Sequence, residues 1–220
     1  YEFLTTADTY KDQGSGLRVY REKYDPIYDA WNMDPSYSRN KIPVYPERPA
    51  HITRGKGNYN VISTDYIYLN STARVQYSLR PEDSMLNIRI HTDVKDEKLL
   101  LKYFIPLTLN NPLMHVEIPY ASIKRTRKPK SEMEKAKWEY PMQKWIDISD
   151  TVKDDSYGLA ILNKDRYGFN STKQGLYITL QRAAKYPSQA IFSTYRLIPK
   201  SERPEHTDLE PYNFSLALMP

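Results

Sequence analysis

A chain of 220 residues suits one large domain, or one domain with a small appendage, and is long enough to bury a substantial core. It contains no cysteine, which excludes a disulfide framework and any cysteine-based metal or redox site. Its 32 basic and 27 acidic residues leave a net charge of +5, but no run approaches the roughly 18 apolar residues of a membrane span and no signal-like start is visible, so no membrane association is expected and the expected setting is cytoplasmic.

The chain opens with a polar segment, Thr5 to Arg18, that carries Gly14 and Gly16. Val19 to Asp34 does not alternate as a strand would, and Pro26, Pro35 and several aspartates predict a loop. The loop brings Tyr28, Asp29, Trp31 and Asp34 together, a composition suited to a hydroxyl-rich ligand: carboxylates accept hydrogen bonds from sugar hydroxyls, and an indole face covers a pyranose. The competing reading is that Trp31 fills a hydrophobic gap. Ile42 to Pro49 holds three prolines and reads as a connector.

Strand signals are regular beyond it. Val61/Ser63, Ile67/Leu69, Val75/Tyr77/Leu79, Leu86/Ile88/Ile90, Leu99/Leu101/Tyr103/Ile105/Leu107 and Val116/Ile118/Tyr120 keep a period near two between Asn, Asp, Pro and Ser turns. Strands without intervening helical patterns predict an all-β fold, a large antiparallel two-layer β-sandwich. Lys124, Arg125, Arg127, Lys128 and Lys130, with Lys135 and Lys137 beyond, account for most of the charge imbalance and read as a solvated loop; no nucleic-acid motif accompanies them. Tyr157–Leu162 and Gly175–Leu180 are runs of strand length, and the turn-rich Asn163–Lys173 between them predicts that they form one hairpin. Gly158, Gly168 and Gly175 fall at their starts and bends, where a neighbouring chain can approach closely. Tyr212 to Pro220, with Phe214, Leu216 and Leu218 alternating, reads as a closing strand.

Several of these strings resemble one family. Trp145-Ile146-Asp147-Ile148-Ser149-Asp150, then Gly158-Leu159-Ala160-Ile161-Leu162-Asn163 and Lys164-Asp165-Arg166-Tyr167-Gly168, then Leu180-Gln181-Arg182-Ala183 look like the C-terminal region of glycoside hydrolase family 38, the α-mannosidases. That region carries W-x-D-L-S, then G-x-A-L-L-N-x-x-K-Y-G, then a strand ending L-L-R-S. Glu22 to Asp34 is similar to the family's E-D-x-P-x-x-x-D-A-W-D-x-D, with Lys23 for Asp, one extra residue before Pro26, and Asn32 for Asp. Asn32 can hydrogen-bond a hydroxyl but carries no charge or acidic proton. Asp93 to Pro106 resembles D-W-x-E-x-x-K-L-L-K-x-x-F-P with Val94 for the tryptophan, and Val116 to Thr126 resembles Y-E-I-x-F-G-x-x-x-R-P with Ala121 for glycine. Past Ala183 the likeness weakens: two histidines of the family pattern are missing from Ala190 to Lys200.

The resemblance covers residues 17 to 200 and implies the supersandwich, galactose-mutarotase-like form of the fold. The corresponding division is a loop-rich N-terminal segment over 1–57 holding the D-A-W-N-M-D motif, a main sandwich over 58–200, and a tail with a closing strand over 201–220. The implied function is that of the C-terminal β-domain of a retaining α-mannosidase, which hydrolyses α-mannosidic bonds in oligosaccharides. Asp29, Trp31, Asn32 and Asp34 are then candidates for substrate binding or a domain interface. The family's Asp nucleophile and divalent metal, usually zinc, belong to an N-terminal α/β barrel, so no catalytic residue, metal ligand or cofactor is expected in this segment. His51, His91, His115 and His206 agree, being widely separated in sequence and outside any metal-ligand spacing. The implied partners are an α-mannoside oligosaccharide and the N-terminal catalytic barrel of the same protein; self-association stays open. The alternative is a stand-alone carbohydrate- or protein-binding module.

Overall fold

The computed structural model describes residues 14–23, 29–55, 57, 59–109, 113–127, 129–152, 155–187 and 197–220. Two sheets face each other. The smaller, of six strands, runs in the order β11 (Tyr140–Pro141), β14 (Gly168–Ser171), β15 (Gly175–Arg182), β8 (Leu99–Pro106), β1 (Gly16–Arg21) and β2 (Lys41–Ile42). The larger runs β10 (Ala121–Arg125), β9 (Leu113–Ile118), β12 (Trp145–Val152), β13 (Asp155–Asn163), β16 (Pro211–Met219), β7 (Leu86–Asp93), β6 (Ser71–Ser78), β5 (Asn60–Tyr68) and β3 (Tyr45–Pro46), with β4 (His51–Arg54) also on β5. Every pairing is antiparallel, so the all-β two-layer sandwich that the alternating pattern predicts is the fold formed. Among the described residues one short α-helix, α1 (Glu132–Lys135), interrupts the strands and is started by a capping box of Ser131 and Glu134.

The core lies between the sheets. Leu101, Tyr103 and Ile105 of β8 face Ile88 and Ile90 of β7 and Phe214 and Leu216 of β16 within one continuous apolar cluster. Hydroxyls also tie the layers: Tyr77 OH of the larger sheet lies 2.9 Å from Tyr103 OH of β8, which is also 2.9 Å from Ser15 Oγ. Thr92 Oγ1 donates to Gln181 Oε1 at 2.7 Å. β8 is buried along both faces, because its outward residues Leu100, Lys102 and Phe104 are covered as well.

Two sequence expectations are corrected. The first is the loop expected from Val19 to Asp34, which at its start is strand β1: Leu17 and Val19 point into the core, while Arg18 and Tyr20 point outward yet are also buried. Burial on both faces erases the polar–apolar alternation that would have marked a strand. The second is the hairpin expected between Tyr157–Leu162 and Gly175–Leu180. Those runs lie in different sheets: β13 pairs with β12 and β16, whereas β15 pairs with β14 and β8. The intervening segment is a crossover followed by a strand of its own. Asn163 shapes the crossover, its Nδ2 donating to Gln143 O at 2.9 Å and its Oδ1 accepting from Arg166 N at 3.0 Å. β14 then turns tightly into β15, with Thr172 N donating to Gly175 O at 2.9 Å. The Ile42–Pro49 connector starts at the last residue of the two-residue strand β2 and contains the two-residue strand β3. Thr5 to Gln13, Tyr28, Lys128 and the altered stretch from Ala190 to Tyr195 lie outside the described residues.

Two glycines are required by close approach. A Cβ on Gly158 would sit 2.3 Å from Ile148 O, and one on Gly175 would sit 2.1 Å from Ile105 O. Both obstacles are backbone and cannot swing aside. Gly175→Ala is therefore expected to lower stability by about 1–3 kcal/mol or more, read from the midpoint of urea unfolding. Gly168→Ala, whose Cβ would meet only the Thr179 side chain at 3.3 Å, should cost clearly less; equal losses would show that close approach is not what selects glycine here.

Candidate functional site

The outer face of the six-stranded sheet gathers the polar chemistry of the domain. Cross-strand register places Arg182, Leu100 and Tyr20 in one outward row, and Thr179, Lys102 and Arg18 in the next. These rows exist because β15 carries a bulge between Thr179 and Gln181. The extra residue lets Leu180 and Gln181 both point between the sheets and returns Arg182 to the outside.

Arg182 is the fastener of the Asp29–Asp34 loop. Its Nε donates to Glu22 Oε2 at 2.7 Å and its Nη2 to Glu22 Oε1 at 3.0 Å, a bidentate pair. The same Nη2 reaches Asp29 Oδ1 at 3.2 Å and the Asn32 carbonyl at 2.7 Å. Burial pushes the Glu22 carboxyl up, against the pull of the guanidinium. Glu22 Oε1 also accepts from Asp34 N at 3.1 Å, closing the loop on its own stem.

The four residues singled out in the sequence share this loop but are placed differently. Asp29 and Asp34 are each 5% exposed. Asp29 Oδ2 accepts from Lys185 N at 2.8 Å. Asp34 accepts from Lys23 N at 3.2 Å and from Ser36 N and Oγ at 2.8 and 2.7 Å. Their carboxylates hold the loop to the sheet. Trp31 is 62% exposed, and Asn32 is exposed as well. The reading of Trp31 as a core plug is therefore not supported by its position.

Beside the loop lies a network that sequence reasoning missed. Lys102 is fully buried, and its ammonium donates to Glu139 Oε1 at 2.5 Å, Thr179 Oγ1 at 2.9 Å and Asn170 Oδ1 at 3.0 Å. Tyr37 OH donates to the same Glu139 oxygen at 2.6 Å and packs edge-on against Tyr20, with ring centroids 5.2 Å apart. Burial pulls the lysine below its ordinary value while Glu139 opposes the shift. Burial and the neighbouring carboxylate both push the Tyr37 phenol up. Such a buried charge persists because three acceptors meet its three N–H groups. The available signal was a lone lysine inside the apolar run from Leu99 to Pro106.

A third element backs the loop. The segment 205–207 runs along 184–186, with Tyr186 N donating to Glu205 O at 2.9 Å and Thr207 N to Ala184 O at 2.7 Å. His206, its side chain 5% exposed, bridges Lys185 and lies 3.4 Å from Glu97. Burial holds the imidazole below its ordinary value, and Glu97 and Asp29 pull the other way. The basic loop contributes structure rather than open charge at Arg127, which donates to Thr172 O at 2.6 Å and Lys173 O at 2.8 Å. Among the described residues no three His, Cys, Asp or Glu side chains converge as a metal site requires.

Residues 4–190 match the model of the glycosyl hydrolases family 38 C-terminal domain. The chain is 23% identical over 198 residues to Alpha-mannosidase 2C1 of Mus musculus, covering 89% of this chain and 17% of that protein. It is 22% identical over 182 residues to Alpha-mannosidase 2C1 of Homo sapiens, covering 79% and 17%. It thus spans about a sixth of the length of these relatives. A solved glycosyl hydrolase family 38 protein from Enterococcus faecalis shares its fold at TM-score 0.61 with 12% identity, over 94% of this chain and 26% of that one. An alpha-mannosidase from Enterococcus faecalis V583 does so at TM-score 0.62 with 10% identity, over 94% and 25%.

Two measurements test the anchoring. Lys102→Met leaves Glu139 without its cation and is expected to cost about 3–5 kcal/mol in chemical unfolding. The double variant Lys102→Met/Glu139→Leu should recover part of that loss, and strict additivity would argue against the pairing. For His206 the folded value lies below the unfolded one, so the folded state binds fewer protons. Stability should be complete above about pH 6.5, the unfolded histidine value, and should fall as pH drops below it. In thermal melts between pH 7.5 and 5, His206→Asn should flatten that slope; an unchanged slope would assign it to other groups.

Proposed function

This chain belongs to the glycosyl hydrolases family 38 C-terminal domain family, and from that premise we propose that it is the C-terminal β-domain of a retaining α-mannosidase, supplying scaffold and part of the rim of the sugar site. In this reading the nucleophile and the divalent metal reside in an N-terminal domain of the longer protein. Among the described residues no three His, Cys, Asp or Glu side chains converge as a metal site requires. The contribution of this domain is to orient and enclose an α-mannoside oligosaccharide.

One observation carries the reading. The D-A-W-N-M-D loop turns both of its carboxylates inward, on Arg182, Lys185, Lys23 and Ser36, and leaves Trp31 62% exposed on a fixed backbone. A large amphipathic ring on a loop whose Asp29 carboxylate and Asn32 carbonyl are both gripped by one guanidinium suits stacking on a pyranose, with the Asn32 amide beside it as donor and acceptor. Asp29 and Asp34 then act by setting the loop, and Trp31 and Asn32 by touching the sugar.

The 220-residue chain alone is expected not to hydrolyse an aryl α-mannoside. In the whole protein, Trp31→Ala is expected to raise the barrier measured by kcat/KM by on the order of 1 to 3 kcal/mol, with the melting temperature of this domain unchanged. Turnover by the isolated chain would contradict the assignment of catalysis elsewhere. Wild-type kcat/KM in Trp31→Ala would remove the ring from the site.

A further inference from the structure

We propose that Tyr37 is a positioning residue for the Asp29–Asp34 loop: its phenol hydroxyl, held by Glu139, sets where the Asn32–Met33 end of the loop sits on the sheet. The inference rests on the rim reading above and adds a residue outside the loop motif, one that acts on the sugar site only through the loop.

Arg182 grips part of the loop, at the Asp29 carboxylate and the Asn32 carbonyl. The next residue, Met33, is held differently: it packs on a small buried cluster of Tyr20, Tyr37 and Leu100, distinct from the main core. Tyr20 and Leu100 are fixed by β1 and β8, whose register pairs them directly. Tyr37 belongs to no strand. It opens a single 3₁₀ turn, Tyr37–Arg39, in which Tyr37 N donates to Asp34 O at 3.1 Å and Asn40 N to Tyr37 O at 2.8 Å. A turn of three residues does not fix its own place on a sheet, so the ring under Met33 needs a hold from elsewhere.

The hydroxyl supplies it. Tyr37 OH donates to Glu139 Oε1 at 2.6 Å, a short bond to a charged acceptor. Glu139 is itself pinned, because Lys102 Nζ donates to the same oxygen at 2.5 Å and lies 5.3 Å from the centre of the Tyr37 ring. Tyr37 is 5% exposed, and burial beside a carboxylate raises its phenol, so the hydroxyl stays a donor at neutral pH. Apolar packing alone specifies contact, whereas a directional bond specifies position. Phenylalanine would fill the same space in the cluster and leave the ring free to slide, with Met33 and the Asn32 backbone following it. A displacement of an ångström at a contact formed with the reacting sugar is enough to slow the reaction.

The test uses the whole protein with an aryl α-mannoside, at a temperature well below melting. In Tyr37→Phe, kcat/KM should fall about 3- to 10-fold, and the backbone amides of residues 33–40 should exchange with deuterium faster than in the wild type. Glu139→Gln keeps an acceptor for the hydroxyl and loses the charge that pairs with Lys102, so it should lower the melting temperature more than Tyr37→Phe does and kcat/KM less. That inversion separates positioning from stability, since a residue that only supports the fold would move both readouts in the same order. On a Glu139→Ala background, Tyr37→Phe should add no further loss of kcat/KM. Wild-type kcat/KM in Tyr37→Phe beside a loss in Trp31→Ala would overturn this inference and leave the rim reading standing. Wild-type kcat/KM in both would overturn the two together. Unchanged exchange over 33–40 in Tyr37→Phe, or a greater loss in Glu139→Gln than in Tyr37→Phe for both quantities, would make the hydroxyl part of the general packing and would also overturn it.

Discussion

The arrangement of the outer face depends on where one guanidinium points. Arg182 is on the outside because a bulge inserts Leu180 into β15, and once outside it meets Glu22 from the end of β1, Asp29 and the Asn32 carbonyl. These groups come from segments about 150 residues apart in the chain, so the bond set joins the first strand, the loop and the last third of the domain. A carboxylate as enclosed as Glu22 would be costly alone; the bidentate partner makes it tolerable and gives it a direction. Arginine suits this role better than lysine, since a planar fork can serve two acceptors in line and still reach a third and fourth.

The Lys102 network does for the sheet what Arg182 does for the loop. It collects β8, β14 and β15 with the segment before β11 and the Tyr37 turn around one ammonium. A hydrophobic residue there would pack as well and desolvate more easily. What the polar set adds is register: only one alignment of the strands gives the ammonium its three acceptors. The outward cover of β8 therefore has a defined position, and the loop above it inherits that position.

Much of the architecture was legible in the sequence, for a physical reason. Strands with one face in the core and one toward solvent advertise themselves by alternation, as Phe214, Leu216 and Leu218 do in β16. Legibility failed where that condition failed. β1 is covered on both faces and looked like a loop, and the four residues of β14 were hidden among turn formers, so two strands of different sheets were joined into one hairpin. For the site, the motif from Glu22 to Asp34 pointed to the right loop, but the inward turn of Asp29 depends on Arg182 and Lys185, more than 150 residues further on. Lys102 and Glu139 were equally out of reach, being 37 residues apart and meaningful only as a pair.

The position of β16 has a bearing on how the domain is made. It lies between β13 and β7 in the middle of the larger sheet, though it follows all the other described strands in sequence. On a ribosome, every other described strand of that sheet emerges before the piece that joins its two halves. Until residues 211–219 appear, β7 and β13 each present an open edge, and the apolar rows that β16 will cover face water. Such edges are templates for pairing with another chain. The nascent domain is therefore sticky until it is complete, a period in which chaperone protection would count for more than the final stability of the sandwich.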